Sequence, residues 1–193
     1  MFKEKSPPTS PAFLSRKILD AVAFAAHKHT KQRRKDKEQT PYINHPIGVA
    51  HLLSELGDEE IIIAAILHDV LEDTNTTEHQ IQFLFGENVL GIVKEVTDDK
   101  SLTSDVRKRL QIEHAPHLSY GAKLVKIADK ICNLSDMVKS PPDGWPMERI
   151  AQYADWSEAV IAGLGPIDPG LEFLAQGTLS ELRSSLKAET TKA

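Results

Sequence analysis

The chain has 193 residues, 40% hydrophobic and 26% charged, with 23 Lys and Arg against 28 Asp and Glu for a formal net charge of −5. That length suits one domain with a real core, and the composition excludes a disordered chain. The longest apolar run, Ile61 to Leu67, falls far short of the roughly 18 residues a membrane-spanning helix needs, and the single cysteine, Cys132, excludes an internal disulfide.

The opening MFKEKSPPTSP holds three prolines and no apolar signal core, so residues 1–11 read as a flexible tail. One domain is expected over 12–187, a second short tail over 188–193, and a reducing, cytoplasmic setting. Ile18, Ala21, Val22 and Ala25 make a first apolar stripe at helical spacing. His29 to Thr40 loses that periodicity and predicts a polar loop. Within it KHTKQRRKDK, residues 28–37, holds six basic groups and one acid, a net +5 that leaves −10 for the rest. An acidic protein with one concentrated basic stretch suits a small polyanion better than a nucleic-acid backbone.

A second helix begins near His45-Pro46, where Pro fits a first turn. Gly57 breaks the chain, and Asp58 caps a strongly apolar helix predicted from Glu59 to about Glu72. DTNTT, residues 73–77, is a turn whose last threonine caps a helix closed by Gly86, and Val89, Ile92, Val93 and Val96 continue the pattern. Further helices are expected over about Ser104 to Ala115, Gly121 to Lys139, Met147 to Gly163 and Leu171 to Leu186. No Val/Thr-rich alternation, internal repeat or glycine-rich phosphate loop intervenes, so the fold class is all-α.

The chemistry concentrates in His68-Asp69-Val70-Leu71-Glu72-Asp73, which sets four metal-competent or acid/base groups at the end of an apolar helix. Burying them without partners costs several kcal/mol, so something must satisfy them. On a continuous helix His68 would stack on Glu72 and Asp69 on Asp73, giving two polar rows on one face. His45 opens another helix in the context YINHP. Asp129 lies among the core positions of KLVKIADKICNL, where a carboxylate asks for a cation, and Asn133 follows one turn later.

The run QRRKDKEQTPYINHP, then AAILHDVLEDTNTT, EVTDDKSL and GAKLVKIADKICNLSDM, resembles the HD-domain hydrolases of the RelA/SpoT family, and within it the small single-domain metazoan SpoT homologues. The resemblance spans roughly residues 16–163. It implies an HD-domain helical bundle with a metal site in a central cleft, and removal of the 3′-pyrophosphate of guanosine 3′,5′-bis(diphosphate) or its pentaphosphate form, leaving GDP or GTP and pyrophosphate. By position it assigns His45, His68, Asp69 and Asp129 as metal ligands, Glu72 and Asp73 as a catalytic pair, and Arg34, Lys35, Asn133 and Tyr153 as substrate contacts. The implied metal is Mn2+, with Fe2+ or Zn2+ as other divalent candidates. Two imidazoles and two carboxylates suit such an ion and leave open positions for a phosphate oxygen. Arg can fork across phosphate or lie flat against a base.

The implied partner is the guanosine polyphosphate itself, with no nucleic-acid polymer, no membrane, and a monomer or homodimer. Alternatives are a broader nucleotide phosphohydrolase, such as an NADPH phosphatase, or a non-catalytic nucleotide sensor. A pure sensor has no need of all six metal-binding and acidic groups. Other residues read as surface or packing groups: Lys31, Arg33 and Lys37 as solvated charge, His27, His29, His51, His79, His114 and His117 as histidines without a motif partner, and Trp156 as packing. Lys100 and Arg109 flank a loop and are candidates to reach the ligand, although charges so placed are more often exposed. Cys132 stands where relatives often carry an aromatic and Ser104 where animal homologues tend to carry Lys, so that phosphate contact is not carried over.

Overall fold

A computed structural model describes residues 16–190, so the tail expected over 1–11 and the final residues 191–193 lie outside the described residues. Ten α-helices and one 3-10 turn account for the regular structure among them. They are α1 (Arg16–Lys28), α2 (Asn44–Leu52), α3 (Glu59–Leu67), α4 (Val70–Asp73), α5 (Glu78–Phe85), α6 (Glu87–Val96), α7 (Ser104–His114), the 3-10 turn Ala115–His117, α8 (Tyr120–Lys139), α9 (Met147–Leu164) and α10 (Pro169–Thr190). The all-α expectation holds. No described helix is long and apolar enough to cross a membrane.

Two helices form the centre. The Asp58 carboxylate accepts the Ile61 N–H at 3.0 Å and starts α3, whose residues from Ile61 to Leu67 are all buried. Fully burying side chains such as Ile63, Ile66 and Leu67 contributes ~1.5–3 kcal/mol apiece. Around α3 pack α1, α2, α6 and α8. Ser119 caps α8, which crosses the molecule and carries Leu124, Val125, Ile127, Ala128 and Ile131 into the main core. Its C-terminal half shares a second, smaller core with α9 and α10 through Leu134, Met137, Ile150, Ala154, Leu179 and Leu182. Gly121 admits α6 closely, since a Cβ there would lie 2.8 Å from Ile92. Gly86, at φ 96°, makes the sharp corner between α5 and α6.

Two predicted features differ from what forms. The helix expected from Glu59 to Glu72 is broken at His68–Asp69 into α3 and the single turn α4. The His68 ring, through Nδ1, bonds the Ala65 carbonyl at 2.7 Å, competing for an acceptor that a continuing helix would use. The polar loop after α1 has internal order: Arg33 and Pro41 form an antiparallel bridge, Arg34 N–H donates to Thr40 O, and Tyr42 N–H donates to Gln32 O. Asp36 closes its tip by accepting from the Thr40 N–H and hydroxyl.

Candidate functional site

Three elements converge on one point. His45 comes from the first turn of α2, His68 from the end of α3, and Asp129 from the middle of α8. One ligand atom from each lies within 4.8 Å of the others. His45 Nε2 is 3.1 Å from Asp129 Oδ1, and His68 Nε2 is 3.8 Å from the same oxygen and 3.0 Å from Asp69 Oδ2. Both histidines are buried, at 6% and 5% exposure. His68 commits Nδ1 to the Ala65 carbonyl, while its Nε2 is buried with no oxygen placed to complete a hydrogen bond. With Nδ1 committed, Nε2 is the ring atom turned toward the carboxylates, and it is the one this imidazole would offer to a metal. Asp69 stands beside the trio rather than within it, its Oδ2 accepting the Tyr42 hydroxyl at 2.5 Å.

The electrostatics ask for a cation. Burial alone would push both carboxyls up, yet Asp69 is held well below the usual carboxylate range by His68 and His45, and Asp129 by Lys130 and the two histidines. Burial pushes the His68 imidazolium the other way, but Asp69 and Asp129 outweigh it and raise the group to about 9. A divalent ion in this position would replace that proton.

A polar cavity of about 150 Å³ opens onto the trio, walled also by Glu72, Asp98, Gln111, Lys126 and Asn133. Glu72 and Asp73 form α4, three and four residues past Asp69. Glu72 accepts the Asp98 N–H at 3.1 Å and has Arg107 at 3.7 Å and Lys100 at 3.9 Å. Burial raises the Glu72 carboxyl above the ordinary glutamate value, against the lowering pull of the Asp98 N–H hydrogen bond. Asp73 takes a hydrogen bond from Gln32 on one oxygen and pairs with Lys100 on the other. The Lys100 side chain is half exposed yet reaches this acidic pair.

Beside the small cavity lies a cleft of about 840 Å³, lined by Arg34, Lys35, Cys132, Asn133, Trp145 and Tyr153 among others. Arg34 Nη2 donates to Asn133 Oδ1 and to Asp136 Oδ2, both at 2.7 Å, with its guanidinium over the Tyr42 ring. Asn133 in turn donates to Asp129 Oδ1 at 2.6 Å, joining the cleft to the trio. Lys35 is exposed at the rim, and Tyr153 sits between the Trp145 and Trp156 rings. Lys130 is buried, 3.2 Å from Asp129 Oδ2 and 4.2 Å from the centre of the Trp156 ring. Burial pushes the Cys132 thiol up to about 12, so it stays neutral against Gly48.

All ten sequence-predicted residues therefore lie at this trio, its cavity or the adjoining cleft. Arg109 does not: it is exposed and pairs with Glu113 on its own helix. Arg33 caps backbone carbonyls of Thr30 and Gln32. Of the six remaining histidines, five are exposed and His29 is buried at 2%. Sequence reasoning missed Tyr42, Gln32, Asp98, Arg107, Gln111 and Lys126. The one available signal was Lys126, a charge inside the apolar stripe of α8, which now proves to donate to Val96 O from full burial.

The HD domain family profile matches residues 21–156. A Xenopus tropicalis protein named guanosine-3′,5′-bis(diphosphate) 3′-pyrophosphohydrolase MESH1 is 55% identical over 150 residues, covering 76% of this chain and 84% of its own length. The Homo sapiens protein of the same name is 50% identical over 173 residues, covering 88% and 90%. A solved structure described as a metazoan orthologue of SpoT that hydrolyses ppGpp superposes with a TM-score of 0.86 at 44% identity, over 89% of this chain and 98% of that one.

Proposed function

Because this chain belongs to the HD domain family, we propose that it is a metal-dependent guanosine-3′,5′-bis(diphosphate) 3′-pyrophosphohydrolase, the activity for which its vertebrate relatives are named. His68 carries the reading beyond family membership: a buried imidazole with Nδ1 committed to a carbonyl and Nε2 unpartnered beside two ionised carboxylates fits a divalent cation. His45, His68 and Asp129 would hold it, with Asp69 as the fourth ligand; manganese suits this mixed nitrogen and oxygen set. When bound, the ion supplies charge to neutralise the phosphoryl oxygens.

The chain's own residues do the rest. Glu72, with its carboxyl raised by burial, takes the proton of an attacking water. The water oxygen bonds to the phosphorus on the ribose 3′-oxygen, that phosphorus–oxygen bond breaks, and the ribose oxygen leaves with a proton. Asp73, held from both sides by Gln32 and Lys100, orients the water or passes the proton on. Arg34, Lys35 and Asn133 bind the nucleotide in the larger cleft, where Tyr153 offers a ring. Three basic groups of the stretch, Arg33, Arg34 and Lys35, line that cleft, which suits a small polyanion better than a polymer or a membrane. One unpaired cysteine suits a reducing cytoplasm, and the chain is expected as a monomer or homodimer.

The test is product analysis of the metal-stripped protein reloaded with manganese, iron or zinc. Guanosine 3′,5′-bis(diphosphate) should give GDP and pyrophosphate, best with manganese. Orthophosphate as the product, or full turnover in excess chelator, overturns the reading.

A further inference from the structure

Gln32 touches the site through Asp73, and behind it stands His29, which has no part in the site as described and reaches it only through Gln32. We infer that Gln32 is a positioning residue for Asp73, and that His29 fixes which way the Gln32 amide faces. This rests on the reading of Asp73 as a member of the catalytic pair.

The geometry leaves one assignment. Gln32 Nε2 is 2.7 Å from Asp73 Oδ2, and a carboxylate can only accept, so the amide nitrogen must face it. The amide oxygen then faces His29, whose Nδ1 lies 2.6 Å away and must carry a hydrogen. Gln32 itself cannot slide, because its N–H donates to His29 O at 2.9 Å and its carbonyl accepts the Tyr42 N–H at 3.2 Å. His29 is 2% exposed and its Nε2 is buried without a partner. A residue there for packing alone would be better served by a phenyl or aliphatic side chain, which carries no nitrogen to desolvate. The His29 ring also leans on Tyr42 at 5.0 Å between centres, and the Tyr42 hydroxyl holds Asp69. One packed ring pair thus steers both acidic residues that flank α4.

The arrangement explains why Asp73 is held by two unlike groups. Lys100 reaches it from solvent and brings charge, whereas Gln32 reaches it from the interior and brings direction without discharging it. A bent or rotated Asp73 carboxylate would misplace the proton path while leaving metal and nucleotide binding intact.

The experiment compares Gln32→Ala, Gln32→Glu, His29→Phe and His29→Asn in the full-length, manganese-loaded protein, with Asp73→Asn in parallel. It measures kcat, KM, metal content and Tm with guanosine 3′,5′-bis(diphosphate). Gln32→Glu has the same shape but turns an acceptor toward Asp73, so it and Gln32→Ala should lose about 10- to 100-fold in kcat with full metal content. KM should stay within about twofold. His29→Phe should fall similarly, and His29→Asn, which restores a donor near the Nδ1 position, should recover most of the loss. Wild-type kcat in Gln32→Glu and His29→Phe, with Asp73→Asn inactive, overturns the inference and leaves the role of Asp73 standing. Wild-type turnover in Asp73→Asn overturns both. If His29→Phe fails to fold, the two Gln32 variants decide, and a kcat loss that merely follows Tm counts against the inference.

Discussion

The metal-competent trio and the neighbouring acidic pair come within four residues of each other in sequence at His68 and Glu72, yet they are built on opposite terms. His45, His68 and Asp129 come from three helices of the main core, are buried, and answer one another at 3–4 Å. Glu72 and Asp73 sit on one isolated turn at the cavity rim, each about one-fifth exposed, and are surrounded by mobile-stemmed cations, Lys100 and Arg107. The first region is a rigid socket whose charge must be balanced by something inside it. The second is a partly exposed edge, where burial raises the Glu72 carboxyl above its ordinary value. Burial does both jobs: it forces the socket to want a cation, and it lifts Glu72 toward a useful pKa.

The largest effects should come from the socket. Asp129→Asn or His68→Phe should abolish metal retention after dialysis and lower turnover by about 10³-fold or more, because binding and chemistry fail together. Elemental analysis alongside turnover checks this. Asp69→Asn should follow them less completely, since Asp69 stands beside the trio and is also held by Tyr42. Equal metal loss in all three would show that the fourth ligand, Asp69, is as indispensable as the trio; normal metal content in Asp129→Asn would break the contrast altogether.

The acidic pair should separate these two readouts. Glu72→Gln should keep the metal and lose about 10²- to 10⁴-fold in kcat. Its pH behaviour has a definite sign. The carboxyl is raised, so on acidification it takes up its proton earlier than an ordinary glutamate, and the acidic limb of the wild-type rate should lie above the usual glutamate range. Gln at this position should remove that limb. A limb at the ordinary glutamate value would show that burial does not tune Glu72.

What the chain made legible follows the same division. His68-Asp69 and Asp129 stand out because polar groups interrupt otherwise apolar runs, and a buried helix leaves few innocent reasons for them. The helical order was readable from periodicity for the same reason. The break at His68 was not, because it depends on a ring bonding a carbonyl three residues back, an event invisible to apolar spacing. Gln32 and Asp98 were hidden differently. Each is a polar residue in a polar loop, and only contacts 41 and 26 residues away, to Asp73 and Glu72, give it a role. Arg109 is exposed, as a charge beside a loop is expected to be, and its helix turns it toward Glu113.

The cleft should respond more gently. Arg34→Ala removes a guanidinium that already bridges Asn133 and Asp136, so KM should rise about tenfold or more with a smaller change in kcat. Lys35, exposed at the rim, should show a smaller rise that fades with salt as the Debye length shrinks to ~8 Å. Arg33→Ala, whose side chain caps backbone carbonyls, should do least of the three. A kcat loss dominating in Arg34→Ala would instead tie the guanidinium to Asn133 and the metal socket.

The smallest effect lies away from both regions, where Arg183 on α10 holds Asp155 and Glu158 on α9 at 2.8 and 2.7 Å. These side chains are 40% to 71% exposed, so solvent screens the network and Arg183→Ala should cost no more than about 0.5–1 kcal/mol. In a chain of this size that is a Tm lower by about 1–4 °C. The hydrogen bond from Arg183 holds the Glu158 carboxyl below its ordinary value. The folded pKa is therefore lower than the unfolded one, so this stabilisation is fully present above about pH 4.3 and is lost as pH falls through the folded value. Thermal unfolding of the two proteins should thus differ at pH 7 and converge on acidification, and the difference at pH 7 should also shrink in high salt. A gap that persists at pH well below the folded Glu158 value would mean that Arg183 acts through the packing of its aliphatic stem against α9, as long basic side chains can, and that charge contributes little to joining the last two helices.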